Sequence, residues 1–373
     1  MGRYLFILLI ALCSTAADPK ENRLLIAISE DGLSWTRLNQ AFYDSADVPD
    51  AVFVPGSRVY LYFQNFRQPD MNKIYVGFSA DGLTGWIFGP VVISGTEYWP
   101  GAPCDPDIIV RGDTFRLYFT GDPTGDLQPE TYSAISFDGM NFFLEPGVRF
   151  QVPGAPVMDP SLLWTGTTYR YFAGGAPPGE NFRAHSTDGI NFTQDPNFFM
   201  DSLMMANGLA VPGGYRFYGF KQQGNIKSLF SSDGVSWALD SGYRLELDTT
   251  NGLESEFVKD PAVVRLSSGY IMYYVTKIPP SGVSEQEGKP FSLAIYPNPA
   301  RGKTALFYYL SDGCRVWIGI YASDGQLLKH VLLGEEGPGP HRLEISPDVP
   351  SGVYFLKLTA GENSAVRRIT ILR

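Results

Sequence analysis

Residues 186–192 read Ser-Thr-Asp-Gly-Ile-Asn-Phe, and the same frame recurs at Ser29–Trp35, Ser79–Trp86, Ser136–Phe142 and Ser231–Trp237. Each copy is Ser-x-Asp-Gly with an aromatic three or four residues after the glycine. Glycines 32, 82, 139, 189 and 234 keep the phase, with steps of 45 to 57 residues. Asp-Gly is a hairpin signal, because glycine adopts positive φ without steric cost and the aspartate side chain caps the turn. The residues before it (LLIAIS, IYVGFS, YSAIS, LFS) are strand-like, and the aromatic after it opens the next strand.

A second unit alternates with the first. It reads PDAVFVPGSRVYLYF from Pro49, DPDIIVRGDTFRLYF from Asp105, DPSLLWTGTTYRYF from Asp159, NGLAVPGGYRFYGF from Asn207 and DPAVVRLSSGYIMYY from Asp260. Each is a short apolar strand, a turn and an aromatic strand. Paired with the hairpins, these units make four-stranded sheets repeated at blade length, the mark of a β-propeller. The repeat region begins with a lone hairpin (Asn22–Gln40) and ends with a lone strand pair (Phe257–Lys277). Joined, they complete a fifth blade and remove a sheet edge. The expected fold class is therefore all-β: a five-bladed propeller over 18–278, closed by its N- and C-terminal strands.

Composition agrees. The 373 residues are 44% hydrophobic and 14% aromatic but only 18% charged, with 40 Gly and 28 Pro, a profile of many short strands and turns. A net charge of −10 argues against nucleic acid and anionic lipid as partners. Residues 1–17 (MGRYLFILLIALCSTAA) read as a signal peptide, whose apolar run Tyr4–Leu12 is too short to span a membrane. Cys13 raises a lipoprotein alternative, against which Leu12 stands where a small residue is needed. Cys104 and Cys314 fall in different domains and read as small buried hydrophobes, not as a disulfide. The stretch 279–290 (PPSGVSEQEGKP) is a linker, and 291–373 a second all-β domain, a small sandwich.

In that second domain, IYPNPARGKTALFYYL, VWIGIYASDGQLL, PGPHRLEI, SGVYFLKLTA and RRITILR closely resemble the type A sorting domain of the type IX secretion system, related to the immunoglobulin-like fold of flagellar hook-capping proteins. Pro297 and Pro299 are expected to rigidify the start of its first strand, and Ser351–Gly352 to turn into its last hairpin. The resemblance implies export across the outer membrane, with the secretion machinery as partner, and leaves the chemistry to the first domain.

There, the starts of the innermost strands converge on one mouth, bringing Asp50, Asp105, Asp107, Asp159, Asn207 and Asp260 close together. Glycoside hydrolysis needs such carboxyls: one acid to protonate the leaving oxygen, one carboxylate to activate water or attack. The competing reading is structural, since an Asp at a strand start also bonds backbone amides of its neighbour. Asp-Pro at inner strands, aromatic second strands and Ser-x-Asp-Gly-x-x-Trp hairpins resemble the five-bladed propeller glycosidases of families 43 and 32. In family 43 an Asp base, a pKa-tuning Asp and a Glu acid come from successive inner strands. The resemblance implies Asp50 as base and Asp105 or Asp107 as tuner, while Asp159 stands where the family has Glu. The nearest glutamates, Glu97, Glu254 and Glu256, precede the inner strands. Trp99 and Tyr98 are the candidate stacking rings for a sugar, with Phe66 nearby, and Asn207, Asp260 and Glu256 the candidate polar contacts. No cofactor is expected; calcium at the axis, held by Asp and backbone oxygens, is the one ion the donors suit. Zinc lacks ligands, and His185 beside Ser186 is structural. A monomeric, carbohydrate-directed exported protein is the expectation, with a non-catalytic surface-binding or scaffold propeller as the rival. A sialidase-like enzyme fits less well, because Arg58, Arg111 and Arg265 occupy turns or strand ends.

Overall fold

The computed structural model describes residues 19–221 and 224–279 and, within 293–372, all but 297, 311, 312, 323–325, 338 and 362. The expected signal peptide at 1–17, Pro297 and all of the expected linker but Pro279 lie outside the described residues. The described residues are all-β, with two three-residue 3-10 turns besides. It divides into two compact units at Ile278/Pro279, apart from the stretch Thr36–Gln40, which groups with the second.

The first unit contains five sheets. One joins Ser255–Leu266, Gly269–Lys277 and Asn22–Ser29; we call it the terminal sheet. The next runs through Ala46–Phe53, Val59–Asn65, Lys73–Ser79 and Ile87–Pro90. A third is built on Cys104–Arg111, Thr114–Gly121, Glu130–Ser136 and Asn141–Leu144, a fourth on Met158–Trp164, Tyr169–Gly174, Glu180–Ser186 and Thr193–Phe199. The fifth comprises Met204–Val211, Gly214–Lys221, Asn225–Ser231 and Ala238–Leu239. In the terminal sheet, Asn22–Ser29 pairs antiparallel with Gly269–Lys277 over its whole length, from Asn22↔Lys277 to Ser29↔Tyr270. Second strands such as Val59–Asn65 are buried at every position, which is why they read as aromatic and aliphatic runs without alternation.

The Ser-x-Asp-Gly turns share one hydrogen-bond pattern. Ser186 Oγ accepts from the Gly189 amide at 2.9 Å and donates to Asp188 Oδ1 at 2.8 Å, while Asp188 Oδ1 also accepts from the Ile190 and Asn191 amides. The same set closes the turns at Ser29, Ser79, Ser136 and Ser231. The glycines sit at φ between 72° and 76°, a conformation that L side chains rarely adopt. The amide of Asn191 and its fellows hold the Asp188 carboxyl below the usual carboxylate range.

A second recurring bond ties sheet to sheet. Tyr62 Oη donates to Gly139 O at 2.7 Å, Tyr118 to Gly189 O at 2.9 Å, Tyr218 to Gly32 O at 2.8 Å and Tyr273 to Gly82 O at 2.6 Å. Each tyrosine lies on the second strand of one sheet and reaches the turn glycine of another. At the corresponding place the fourth sheet has Phe172, and Tyr215 instead donates to Thr165 O at 2.8 Å. First strands contact one another in cyclic order: Ala46–Phe53 with Cys104–Arg111, that with Met158–Trp164, then Met204–Val211, then Ser255–Leu266, and back to Ala46–Phe53.

In the second unit, a three-stranded sheet (Leu293–Tyr296, Thr304–Leu310, Gly339–Ile345) and a five-stranded sheet share one core of Leu306, Tyr308, Val316, Ile318, Leu356 and Ile369 among others. Pro299 follows the first strand and does not precede it; next to it, Asn298 donates to Arg368 O and accepts from the Thr370 amide, tying the motif to the strand Asn363–Leu372.

Tyr62 is fully buried, so Tyr62→Phe leaves the Gly139 carbonyl without its donor and is expected to cost about 1–3 kcal/mol. Urea unfolding measures it; an unchanged midpoint would show that these inter-sheet bonds do not matter.

Candidate functional site

The first strands do not run straight into the centre. Their pairing slips between Asp47 and Asp50, opposite Tyr118 and Thr120, between Met158 and Ser161, between Met205 and Asn207, and between Lys259 and Ala262, with a second slip in the last strand between Ser255 and Val258. In four of them the residue before proline has positive φ: Val48 at 44°, Asp105 at 53°, Asp159 at 52° and Asp260 at 45°. A non-glycine residue there carries strain of about 1–3 kcal/mol, and such strain collects at functional sites. The bulge separates two rows of side chains. Behind it lie Asp50, Asp107, Ser161, Asn207 and Ala262; at it lie Val48, Asp105, Asp159, Met205 and Asp260. Sequence reading grouped Asp50 with Asp105 and Asp159, but these residues occupy different rows.

The inner row works as a set of latches. Asp50 Oδ2 accepts from the Ile108 amide at 2.7 Å, Asp107 Oδ1 from the Leu162 amide at 3.0 Å and Asn207 Oδ1 from the Val263 amide at 3.0 Å. Asn207 Nδ2 also donates to Asp50 Oδ1 at 2.8 Å, so both oxygens of Asp50 are engaged. Burial pushes the Asp50 carboxyl up to about 6, against the pull of the Ile108 amide and Asn207. Burial and the Asp50 charge push Asp107 well above the ordinary range.

The outer row carries the open chemistry. Lys259 Nζ, itself well buried, donates to Asp47 Oδ1 and Asp260 Oδ2, each at 2.7 Å. Asn22 Nδ2, on the N-terminal strand, donates to Asp47 Oδ2 at 2.8 Å. Asp105 Oδ2 accepts from the Asp159 amide at 3.4 Å and from Cys104 Sγ at 3.6 Å. Among the row's carboxyls, Asp105 and Asp260 are buried and Asp159 is half-buried. Desolvation raises all three, Asp260 to about 6. For Asp159 the nearby Asp105, Asp260 and Asp47 charges add to it, with Lys259 pulling the other way, and it lies well above the ordinary range. The Lys259 ammonium is held in its charged form by Asp260 and Asp47 against the effect of burial. The site therefore joins a half-buried carboxyl whose ionisation is opposed, Asp159, with two carboxyls bonded to an ammonium.

The other expected residues lie apart from these. Trp99 packs edge-on against Tyr132 (centroids 4.9 Å) and tilted against Phe119 (6.1 Å), and it borders a cavity of about 310 Å³. Tyr98 is 97% exposed. Glu256 pairs with Lys277 at 2.7 Å, and Glu254 is buried on the Tyr274 hydroxyl and the Asp248 amide. His185 Nδ1 meets Asp195 at 3.0 Å on outer strands. Cys104 and Cys314 are half-buried where the sequence suggested burial. At the outer row the Lys259 ammonium bridges Asp47 and Asp260, two of the carboxyls that a calcium ion could use. Asp47 and Lys259, both central here, were missed. The signal for them is a Lys directly before Asp-Pro, together with an Asp three residues before Asp50.

Residues 294–372 match the family described as a secretion system C-terminal sorting domain. The second unit is thus an export signal, and the protein is secreted or carried at the cell surface. No helix among the described residues is long and apolar enough to cross a membrane. No curated protein matches the chain. Solved structures of similar course include an exo-beta-1,3-galactanase from Phanerochaete chrysosporium, 12% identical over 87% of this chain and 95% of that one, with a TM-score of 0.47. A thermostable family-43 glycoside hydrolase is 12% identical over 79% and 93%, with a TM-score of 0.48. A family 117 glycoside hydrolase from the marine bacterium Zobellia galactanivorans is 13% identical over 70% and 92%, with a TM-score of 0.44.

The raised carboxyls make stability depend on pH. Asp50 and Asp260 titrate near 6 in the fold against an ordinary 3.8, so the folded state binds more protons and their contribution falls as pH rises through that window. The urea midpoint is expected to rise when pH is lowered from about 7.5 to about 5, and Asp260→Asn to flatten that slope. A midpoint that falls over this range would contradict the assignment.

Proposed function

We propose that residues 18–278 are a five-bladed β-propeller, closed by the pairing of Asn22–Ser29 with Gly269–Lys277, and that it acts on an extracellular carbohydrate as a glycoside hydrolase. Residues 291–373 serve as the sorting domain behind a linker at 279–290, and 1–17 as the signal peptide. The cyclic contacts of the five first strands and the tyrosine-to-glycine bonds between sheets support the propeller.

One observation carries the activity: the half-buried Asp159 carboxyl, raised well above its ordinary range, lies among Asp105, Asp47 and Asp260, the last two anchored on Lys259. Asp159, protonated at neutral pH, gives its proton to the glycosidic oxygen as the C–O bond breaks. The Asp260 carboxylate takes a proton from the water whose oxygen bonds to the anomeric carbon, or bonds to that carbon itself; the anomeric configuration of the product distinguishes the two. Asp105 keeps the Asp159 proton in place by its charge. In this reading Asp50 and Asp107, whose oxygens hold the Ile108 and Leu162 amides, set the positions of the strands, and the base role moves from Asp50 to Asp260.

The second reading, a non-catalytic carbohydrate-binding propeller, draws on Lys259, which already neutralises Asp47 and Asp260 and could serve a site that only binds.

The full-length protein is to be assayed on arabinan, xylan, fructan and mannan oligosaccharides. Asp159→Asn is expected to lower kcat by about 10²–10⁴-fold, the range for general-acid catalysis. Lys259→Met removes a positive charge near both groups, so both limbs of the pH–rate profile move to higher pH. Wild-type turnover in Asp159→Asn would sink the assignment, and no turnover on any oligosaccharide would favour the binding module.

A further inference from the structure

The cavity of about 310 Å³ lies within the first unit, where the strands Lys73–Ser79 and Cys104–Arg111 begin. Its wall includes Ile74, Val91 and Ile93, which belong to a buried cluster between two neighbouring sheets, and the indole of Trp99. The indole is held rigidly. Tyr132 and Phe119 support it, and it lies so close over Gly121 that a Cβ at that position would overlap the ring. Glycine at 121 is thus what lets the indole settle onto the backbone.

Two opposite charges border the same space. Lys73 gives one N–H to Asp70 at 2.6 Å, leaving two donors, and Glu97 Oε2 accepts from the Gly95 amide at 2.9 Å, leaving its other oxygen. An anion entering here meets Glu97 and a cation meets Lys73. The pair suits a neutral ligand that both donates and accepts hydrogen bonds and has one apolar face to set against Trp99. The volume lies at the lower end of the roughly 300–1,000 Å³ found for ligand pockets, enough for a single ring. Pro103, on the cavity wall, stands two residues before Asp105 of the outer row.

We propose that this cavity is a second saccharide subsite, holding a neutral sugar ring of a chain whose reacting unit lies at Asp159. The proposal rests on the carbohydrate reading above, but it is tested apart from it. The full-length protein in an Asp159→Asn background is titrated with tetrasaccharides of arabinan, xylan, fructan and mannan, following the Trp99 indole N–H by NMR. The signal is assigned with Trp99→Phe. At least one tetrasaccharide is expected to shift it, and Ala102→Trp, which fills the cavity from its rim without removing the packing of Trp99, is expected to weaken that binding by about tenfold or more. An unchanged affinity in Ala102→Trp, or no response of Trp99 up to about 10 mM, overturns the subsite. Binding at Trp99 with no turnover by the wild type would refute the hydrolase and leave the subsite standing; turnover without a Trp99 response would do the reverse.

Discussion

Five strands that converge bring their amides and side-chain oxygens into a space with little water, and each of these polar groups needs a partner there. The latches at Asp50, Asp107 and Asn207 answer that need, each spanning from one first strand to a backbone amide of another. Where the repeat puts Ser161 and Ala262 instead, no such bond forms, and the Ser161 hydroxyl and one oxygen of Asp107 are buried without a protein partner. The tyrosine bonds to the turn glycines repeat the same logic farther out. Packing alone would let neighbouring sheets slide; directional bonds at two radii hold them in register.

The bulge in the first strands follows from this arrangement and creates the site. Proline after the bulged residue removes an amide that would have no partner, and positive φ turns the preceding side chain away from the latch row. Val48, Asp105, Asp159 and Asp260 stand on that outer row, where three carboxyls crowd together with Asp47. Like charges so placed cannot all ionise. Lys259 satisfies two of them, and Asp159, crowded by Asp105, is raised well above its ordinary range. Acid and carboxylate are therefore separated by the position of one ammonium.

Much of the architecture was legible in the sequence because it rests on local signals. The five Ser-x-Asp-Gly turns are short-range hydrogen-bond motifs, and the buried aromatic runs such as Val59–Asn65 announce themselves by composition. The lone hairpin at the start and lone strand pair at the end anticipated the pairing of Asn22–Ser29 with Gly269–Lys277. The site was less legible. Asp50 and Asp105 look alike as strand-start aspartates, yet a one-residue bulge sends them to different rows, and register is a property of paired strands, not of either alone. Lys259 looked like an ordinary charge beside Asp260 because its second partner, Asp47, is more than two hundred residues away. Trp99 was picked out as an aromatic near the mouth; that Gly121 underlies it depends on a neighbouring strand.

The central claim is that Asp159 keeps its proton at neutral pH while Asp260, on Lys259, does not. Infrared difference spectra of the full-length protein, wild type against Asp159→Asn, followed through a pH titration, test it directly. The account predicts a carboxylic-acid C=O band that is lost in Asp159→Asn and persists in the wild type to above about pH 7, well past the ordinary range for Asp. A band that disappears near about pH 4, with Asp159 ionising as an unperturbed aspartate, would contradict it.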